Sequence, residues 1–357
     1  MHHLKIDLQK ALRQRHEGAL FIDCRTPSEF AETTIPGAVN VPLFDDAQRA
    51  QVGLLYKEEG PGPARRLAVD LVSPRIPAMI RQVDELLGDR RRPIVVFCWR
   101  GGMRSRALTT FLDLAGFSAR QLTGGHKAFR AEVRDFLATG EWGRLFVLRG
   151  LTGVGKTRVL HRLRDEGYPV LDLEGLANHR GSAFGALGQG EQPSQKTFEA
   201  RLWDALRNIP ADAYALAEGE SKHIGKVVLP PRVYDALQQE TSLWLDASLD
   251  YRIQVILQEY PVDKIPREAF IPPIIALKRR LGGEAVERLL ALLQAEKWRE
   301  LVADLMTLYY DPLYFHTHPD RRIEIPLEPE EEGMARLKES IRHLLAEAPV
   351  HAGEGKA

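Results

Sequence analysis

The sequence predicts an α/β protein of two successive domains, each built on a mainly parallel sheet, the second ending in a helical part. Three observations predict it. Over residues 19–138, short apolar runs that end at polar or glycine-rich residues alternate with helical patterns. The same alternation restarts near Gly140 with RLFVLRG, LTGVGKT and RVLHRLRDEG. The chain's 357 residues also exceed what one hydrophobic core usually holds. The expected domains are therefore 1–138 and 139–347, joined around residues 138–143. The polar tail APVHAGEGKA at 348–357 is expected to be disordered.

In chain order, ALFID at 19–23 and PIVVF at 93–97 read as short buried strands. Between them, IPGAVNVP at 35–42 is a turn and a short strand, and RIPAMIRQVDELLG is a helix that stops at Gly88. Residues 105–115 and 126–138 are further helices. In the second half, strands are expected at YPVLDLE (168–174), AYALAEGES (213–221) and SLWLDAS (242–248). Residues 283–310 read as wholly helical, and RIEIPL at 322–327 as a late strand.

Composition narrows the function classes. With 44% apolar and 27% charged residues the chain resembles an ordinary globular protein, with no run long enough to span a membrane. Two cysteines cannot build a disulfide framework, and the N-terminus lacks a signal-peptide core, so a cytoplasmic location is expected. Net charge is zero, but residues 1–140 hold 21 Lys+Arg against 16 Asp+Glu and the remainder 28 against 33. A nucleic-acid partner is permitted by that balance, not demanded.

One cysteine stands where chemistry is expected. In PIVVFCWRGGMRSRAL, Cys98 ends a strand and five residues separate it from Arg104 at the start of a helix. Successive N–H groups of such a loop can curl around one anion, helped by the positive N-terminus of the helix. The same field favours thiolate over thiol, which makes the cysteine nucleophilic. Gly101 and Gly102 allow close approach, and Arg104, with Arg100 nearby, can chelate an oxyanion. By itself the loop does not separate a sulfur-transfer enzyme from a cysteine phosphatase. The upstream segment FIDCRTPSEFAETTIPGAVNVP resembles the rhodanese domain signature, through Asp23, Arg25, Glu29-Phe30, Ile35-Pro36-Gly37-Ala38 and Asn40-Val41-Pro42. That resemblance implies a rhodanese-like first domain in which Cys98 handles sulfur or a related chalcogen, and a loop one residue longer than usual implies a larger anion. Cys24 is read as packing.

GLTGVGKT at 150–157 fits the P-loop pattern between an apolar strand and a helix. Gly150, Gly153 and Gly155 would let backbone N–H groups cradle a polyphosphate. Lys156 would neutralise its terminal phosphate and Thr157 could hold Mg²⁺. Acidic partners are sought at neighbouring strand ends, among Asp172, Glu174, Glu218 and Glu220. Asn178, His179, Arg180, Gly181 and Ser182 form a polar group suited to a diphosphate or a base edge, with His179 a candidate general acid or base.

DLEGLANHRGSAFG, QPSQKTFE and ESKHIGKVVLP, together with FCWRGGMRS and the order of the two loops, make the chain similar to the tRNA 2-selenouridine synthase family, from about residue 19 to YYDPLY at 309–314. The resemblance implies an enzyme that replaces the 2-sulfur of wobble 2-thiouridine in the tRNA anticodon arm by selenium from selenophosphate. It also implies S-geranylation from geranyl diphosphate as the preceding step, with no tightly bound cofactor. Cys98 would either carry selenium or attack C2 of the base. Lys278-Arg279-Arg280 and Arg90-Arg91-Arg92 are candidate tRNA phosphate contacts, and Trp99 a candidate stacking platform. The rival expectations are a cysteine phosphatase or sulfurtransferase fused to a kinase-like domain, and a non-catalytic nucleotide-gated persulfide carrier.

Overall fold

The computed structural model describes residues 4–88, 92–314, 319 and 321–346. The tail at 348–357, and Arg90 and Arg91 of the first basic run, lie outside the described residues. The chain divides into two compact units, one running up to Thr139 together with Glu199–Trp203, the other from Gly140 to Phe198 and from Asp204 onward.

The first unit is built on a five-stranded sheet in the order β1-β5-β4-β2-β3, with every pair parallel. Its strands are β1 (Lys5–Ile6), β2 (Leu20–Asp23), β3 (Val39–Asn40), β4 (Ile94–Phe97) and β5 (Ala119–Leu122). β2 and β4 are buried along their whole length, as near-continuous apolar runs in a covered parallel sheet should be. Two helices not anticipated from the sequence, Asp46–Glu58 and Pro61–Val72, precede the expected helix Ile76–Leu87, which Gly88 ends with φ +54°.

Polar residues at the end of β2 and just after it hold the backbone in place. Asp23 and Arg25 are almost wholly buried and form an ion pair, with Arg25 Nη2 donating to Asp23 Oδ2 at 2.6 Å and to the Thr33 carbonyl at 2.5 Å. Asn40 Nδ2 donates to the carbonyls of Asp23 (2.8 Å) and Arg25 (3.0 Å), tying the end of β2 to β3. Thr26 and Glu29 then cap the short helix Pro27–Glu32 reciprocally.

The second unit holds a second all-parallel sheet in the order β12-β11-β6-β8-β7. These strands are β6 (Arg144–Gly150), β7 (Val170–Leu171), β8 (Tyr214–Glu218), β11 (Ser242–Asp246) and β12 (Arg322–Pro326), while β9 (His223–Ile224) and β10 (Val227–Val228) make a small antiparallel hairpin. Successive crossovers run from β6 to one side and then the other. The carboxyl end of β6 is thus the switch point where open α/β sheets bind ligands.

Two expected elements differ. YPVLDLE is a strand only over Val170–Leu171, because the Asp172 side chain caps a helix, Leu173–Ala177, by accepting from Gly175 N–H at 2.6 Å. Residues 283–310 do not form one helix. The helices Gly283–Gln294 and Trp298–Leu305 are separated by a turn in which Glu296 adopts φ +55°. The break lets Leu289 and Leu293 share one core with Leu301 and Leu305, which a single straight helix could not do. No helix among the described residues is long and apolar enough to cross a membrane.

Asp23→Ala would strand the Arg25 guanidinium in the core, and breaking such a buried pair costs about 3–5 kcal/mol. Urea denaturation followed by hydrogen exchange of the β2 and β4 amides should therefore show a clearly lowered midpoint for the first unit. An unchanged midpoint would mean that the pair does not secure the strand end.

Candidate functional site

At the carboxyl end of β4 the chain turns through residues 98–102 into the helix Met103–Leu114. Gln121, on neighbouring β5, donates from Nε2 to the carbonyls of Gly101 (2.8 Å) and Gly102 (2.9 Å), which holds those carbonyls away from the loop interior. Gly101 has φ +63°, and a Cβ there would lie 2.5 Å from the Leu122 carbonyl oxygen and 2.9 Å from Gly124 N, so only glycine fits. The Gly102 N–H donates to Cys98 Sγ at 3.2 Å, and Ser105 Oγ lies 3.2 Å from the same sulfur.

Cys98 is 3% exposed and Cys24 is fully buried. The neighbouring Cys24 thiol is the largest influence on Cys98. With the donors from Ser105 and Gly102 it outweighs burial and lowers the Cys98 pKa to about 4. The same contact, added to burial, pushes the Cys24 thiol well above its usual range. At neutral pH the pair is one thiolate and one thiol. The anion is Cys98.

Arg104 is placed differently from the sequence expectation. Its guanidinium is held by Glu29, with Nη1 to Oε2 at 2.5 Å and Nη2 to Oε1 at 3.2 Å, so it is not presented as an open fork for a ligand. Burial pushes Glu29 upward, but the Arg104 hydrogen bond and charge prevail and keep it below the ordinary carboxylate range. The carboxylate competes for Arg104 because the capping box fixes Glu29 beside it. Arg100 and Trp99 are exposed, and the Trp99 ring lies against His126 with centroids 5.6 Å apart.

In the second unit, Gly150 ends β6 and Lys156 opens the helix Lys156–Asp165. Gly153 and Gly155 have φ +81° and +83°. A Cβ on Gly153 would lie 2.6 Å from Met306 Cε and 2.9 Å from the Arg252 carbonyl oxygen. Arg252, 4% exposed, braces the loop by donating to the Thr152 carbonyl at 3.2 Å, while Asp311 grips both its terminal nitrogens at 2.8 Å. Asp311 belongs to YYDPLY, which thereby helps hold the phosphate loop.

The P-loop lines a cleft of about 840 Å³ that also takes in Arg149, Glu174, Arg180, Glu220 and Tyr309. Thr157 Oγ1 donates to Glu174 Oε2 at 2.7 Å, and Lys156 Nζ to the Gly150 carbonyl at 3.3 Å. Burial, together with the nearby Glu174 charge, raises Glu220 to about 7. Glu174 is likewise raised by burial. Beside the cleft opens a narrow apolar slot of about 60 Å³ lined by Phe184, Leu257, Val302, Leu305 and Met306. The two spaces share Thr152, Ser182, Ile256, Tyr260 and Tyr310 as walls.

Residues 7–132 match the Rhodanese-like domain, and residues 143–343 match the tRNA 2-selenouridine synthase AAA domain. A tRNA 2-selenouridine synthase from Cupriavidus necator is 37% identical over 341 residues, covering 86% of this chain and 90% of that protein. One from Nitrosomonas europaea is 32% identical over 352 residues, covering 85% and 90%. The chain belongs to the tRNA 2-selenouridine synthase family. Among solved structures, a rhodanese-related protein from Thermoplasma volcanium is 18% identical with a TM-score of 0.22, covering 36% of this chain and 91% of that one.

The remaining candidates fall into two groups in this family member. Arg180 and Ser182 reach the cleft, where the Arg180 guanidinium lies 4.7 Å from the centre of the Tyr260 ring and Ser182 Oγ lies 3.4 Å from the Tyr260 hydroxyl. His179 is nearly buried, accepts from Gly181 N–H through Nδ1 at 3.2 Å, and is kept neutral by burial. Asp172, Asn178 and Glu218 do local structural work instead. Asp172 caps a helix and meets His161 at 2.7 Å, Asn178 closes that helix with φ +49°, and Glu218 accepts from Leu173 N–H at 2.9 Å. Burial pushes the Glu218 carboxyl well above its ordinary value. Lys278, Arg279 and Arg280 are exposed, whereas Arg92 donates to the carbonyls of Gly18 and Leu86. Sequence reasoning did not anticipate Glu259, Tyr260, Arg149 or Trp244 in the cleft, nor Ser105 and Gln121 at the cysteine.

Because the Cys98 pKa is lowered to about 4, its alkylation by iodoacetamide should be nearly independent of pH between about 6 and 9. Cys24→Ala removes the largest of these influences and should move the half-maximal pH upward. A native rate that climbs steadily from about pH 7 to 9, as for an ordinary cysteine, would contradict the assignment.

Proposed function

We propose that this chain replaces the 2-sulfur of wobble 2-thiouridine in tRNA by selenium from selenophosphate, after S-geranylation of that sulfur from geranyl diphosphate. Family membership along most of the chain supports tRNA selenation. The observation that carries the geranylation step is the apolar slot opening off the P-loop cleft. A prenyl diphosphate presents both a diphosphate for the P-loop and a hydrocarbon chain for the apolar slot. The diphosphate would sit on the P-loop N–H groups and Lys156. The chain would lie along Ile256, Tyr260 and Tyr310, with its end directed at the slot. Thr157 and Glu174 provide the oxygen donors with which a Mg²⁺–diphosphate would be held, since Mg²⁺ uses one or two protein oxygens beside phosphates and water.

In the first step the base sulfur attacks C1 of geranyl diphosphate. The S–C bond forms, the C1–O bond breaks, diphosphate departs and the N3 proton leaves the base. In the second step Cys98 Sγ attacks C2 and expels geranylthiolate, for which S-alkylation has made the sulfur a better leaving group. Selenium of selenophosphate then displaces Cys98 from C2, and hydrolysis of the Se–P bond yields 2-selenouridine and phosphate. Selenium stays fully reduced throughout. Loading it onto Cys98 as a selenosulfide would instead need a two-electron oxidant, so attack at C2 is the redox-balanced route. Cys98 suits it as a thiolate that hydrogen bonds make both a nucleophile and a leaving group.

Lys156→Ala should lower geranylation by on the order of 10²-fold or more, because the charge that stabilises departing diphosphate is gone. Selenation of tRNA supplied already geranylated should be spared. Cys98→Ser should do the reverse, abolishing selenation while geranylation continues. Loss of both steps in either variant with the fold intact, or selenation by the serine variant, would overturn the division of labour.

A further inference from the structure

The two cysteines of this chain lie side by side, and the selenation chemistry uses only one of them. β2 and β4 pair in parallel with Asp23 opposite Phe97. The Cys24 N–H donates to the Phe97 carbonyl at 2.9 Å, which continues the ladder by one residue and sets Cys24 directly beside Cys98. Alternation places Cys24 on the face of Ile22, and Cys98 on the face of Val96, and all four belong to one apolar cluster. Neighbouring strands run about 4.8 Å apart. A disulfide spans roughly 4.4–6.8 Å between Cα atoms. The strand spacing falls within that range, and the two side chains share one face of the sheet.

We propose that Cys24 and Cys98 form a reversible intramolecular disulfide when a hydroperoxide reaches the cysteine loop, locking the nucleophile in a protected, inactive state. The steps balance within the named reactants. Cys98 thiolate attacks one peroxide oxygen, the O–O bond breaks, and the other oxygen leaves as hydroxide, or as alkoxide from an organic hydroperoxide, and takes a proton from solvent, leaving Cys98 as a sulfenic acid. The Cys24 sulfur then attacks the sulfenic sulfur, the S–S bond forms, and the second oxygen leaves as water. Two electrons from the two thiols reduce one peroxide, and an external dithiol reverses the change. Without Cys24 the sulfenic acid has no neighbouring thiol and proceeds to sulfinic acid, which dithiols do not reduce. The thiolate that serves the synthase reaction is also the group most open to oxidation, and Cys24 is placed to intercept that loss.

The test treats the full-length native chain with a few equivalents of hydrogen peroxide, followed by intact-mass and peptide analysis under non-reducing conditions. The expected result is a mass loss of about 2 Da, a Cys24–Cys98 linked peptide, and full return of both alkylatable thiols with dithiothreitol. Cys24→Ala and Cys24→Ser should instead gain about 32 Da at Cys98, irreversibly. Sulfinic acid at Cys98 of the native chain with no linked peptide would overturn the proposal. So would disulfides found only between separate molecules. The native-chain result decides the matter even if both variants fail to fold, and it does not depend on the selenation reading.

Discussion

A negative charge on sulfur, buried at the end of a strand, is the constraint on which the first unit depends. Burial alone would keep Cys98 protonated and inert. The neighbouring Cys24 thiol, the Ser105 hydroxyl and the Gly102 N–H together reverse that. Each is fixed by another element, Cys24 by the β2–β4 register, Ser105 by the helix Met103–Leu114, and Gly102 by the Gln121 side chain that turns its carbonyl away. The sheet therefore sets the state of this sulfur as much as the cysteine itself does.

The second unit is built around a loop of a similar kind. Left-handed glycines curl the backbone after β6, and the N-terminus of the helix Lys156–Asp165 points to the same place. The loop owes its rigidity to a residue about a hundred positions away. Arg252 joins the Thr152 carbonyl to Asp311, so helices late in the chain fix the shape of a turn near its middle. Those helices also line the apolar slot that adjoins the cleft.

Much of this was legible in the sequence, because glycine and cysteine positions reflect backbone and chemical demands that act locally. The P-loop and the C-x₅-R loop are read from a few neighbouring residues, and both lie at strand–helix junctions as expected. What escaped depends on register and on distance along the chain. Cys24 reads as packing because nothing near it shows that Cys98, 74 residues later, is its lateral neighbour in the sheet. Arg104 reads as an anion fork because Glu29 reaches it only through the fold. Asp172 follows an apolar pair and reads as a strand-end acid, but three residues on it finds a backbone N–H to cap. The turn at Glu296 is invisible to periodicity, since both flanking helices keep the same apolar spacing.

The account stands on sulfur being exchanged for selenium through an alkylated intermediate. The most direct measurement is nucleoside mass spectrometry of tRNA carrying 2-thiouridine after incubation with the native chain and selenophosphate, with and without geranyl diphosphate. The account predicts 2-selenouridine only when geranyl diphosphate is present, with S-geranyl-2-thiouridine accumulating when selenophosphate is withheld. Formation of 2-selenouridine at the same rate without geranyl diphosphate would contradict it.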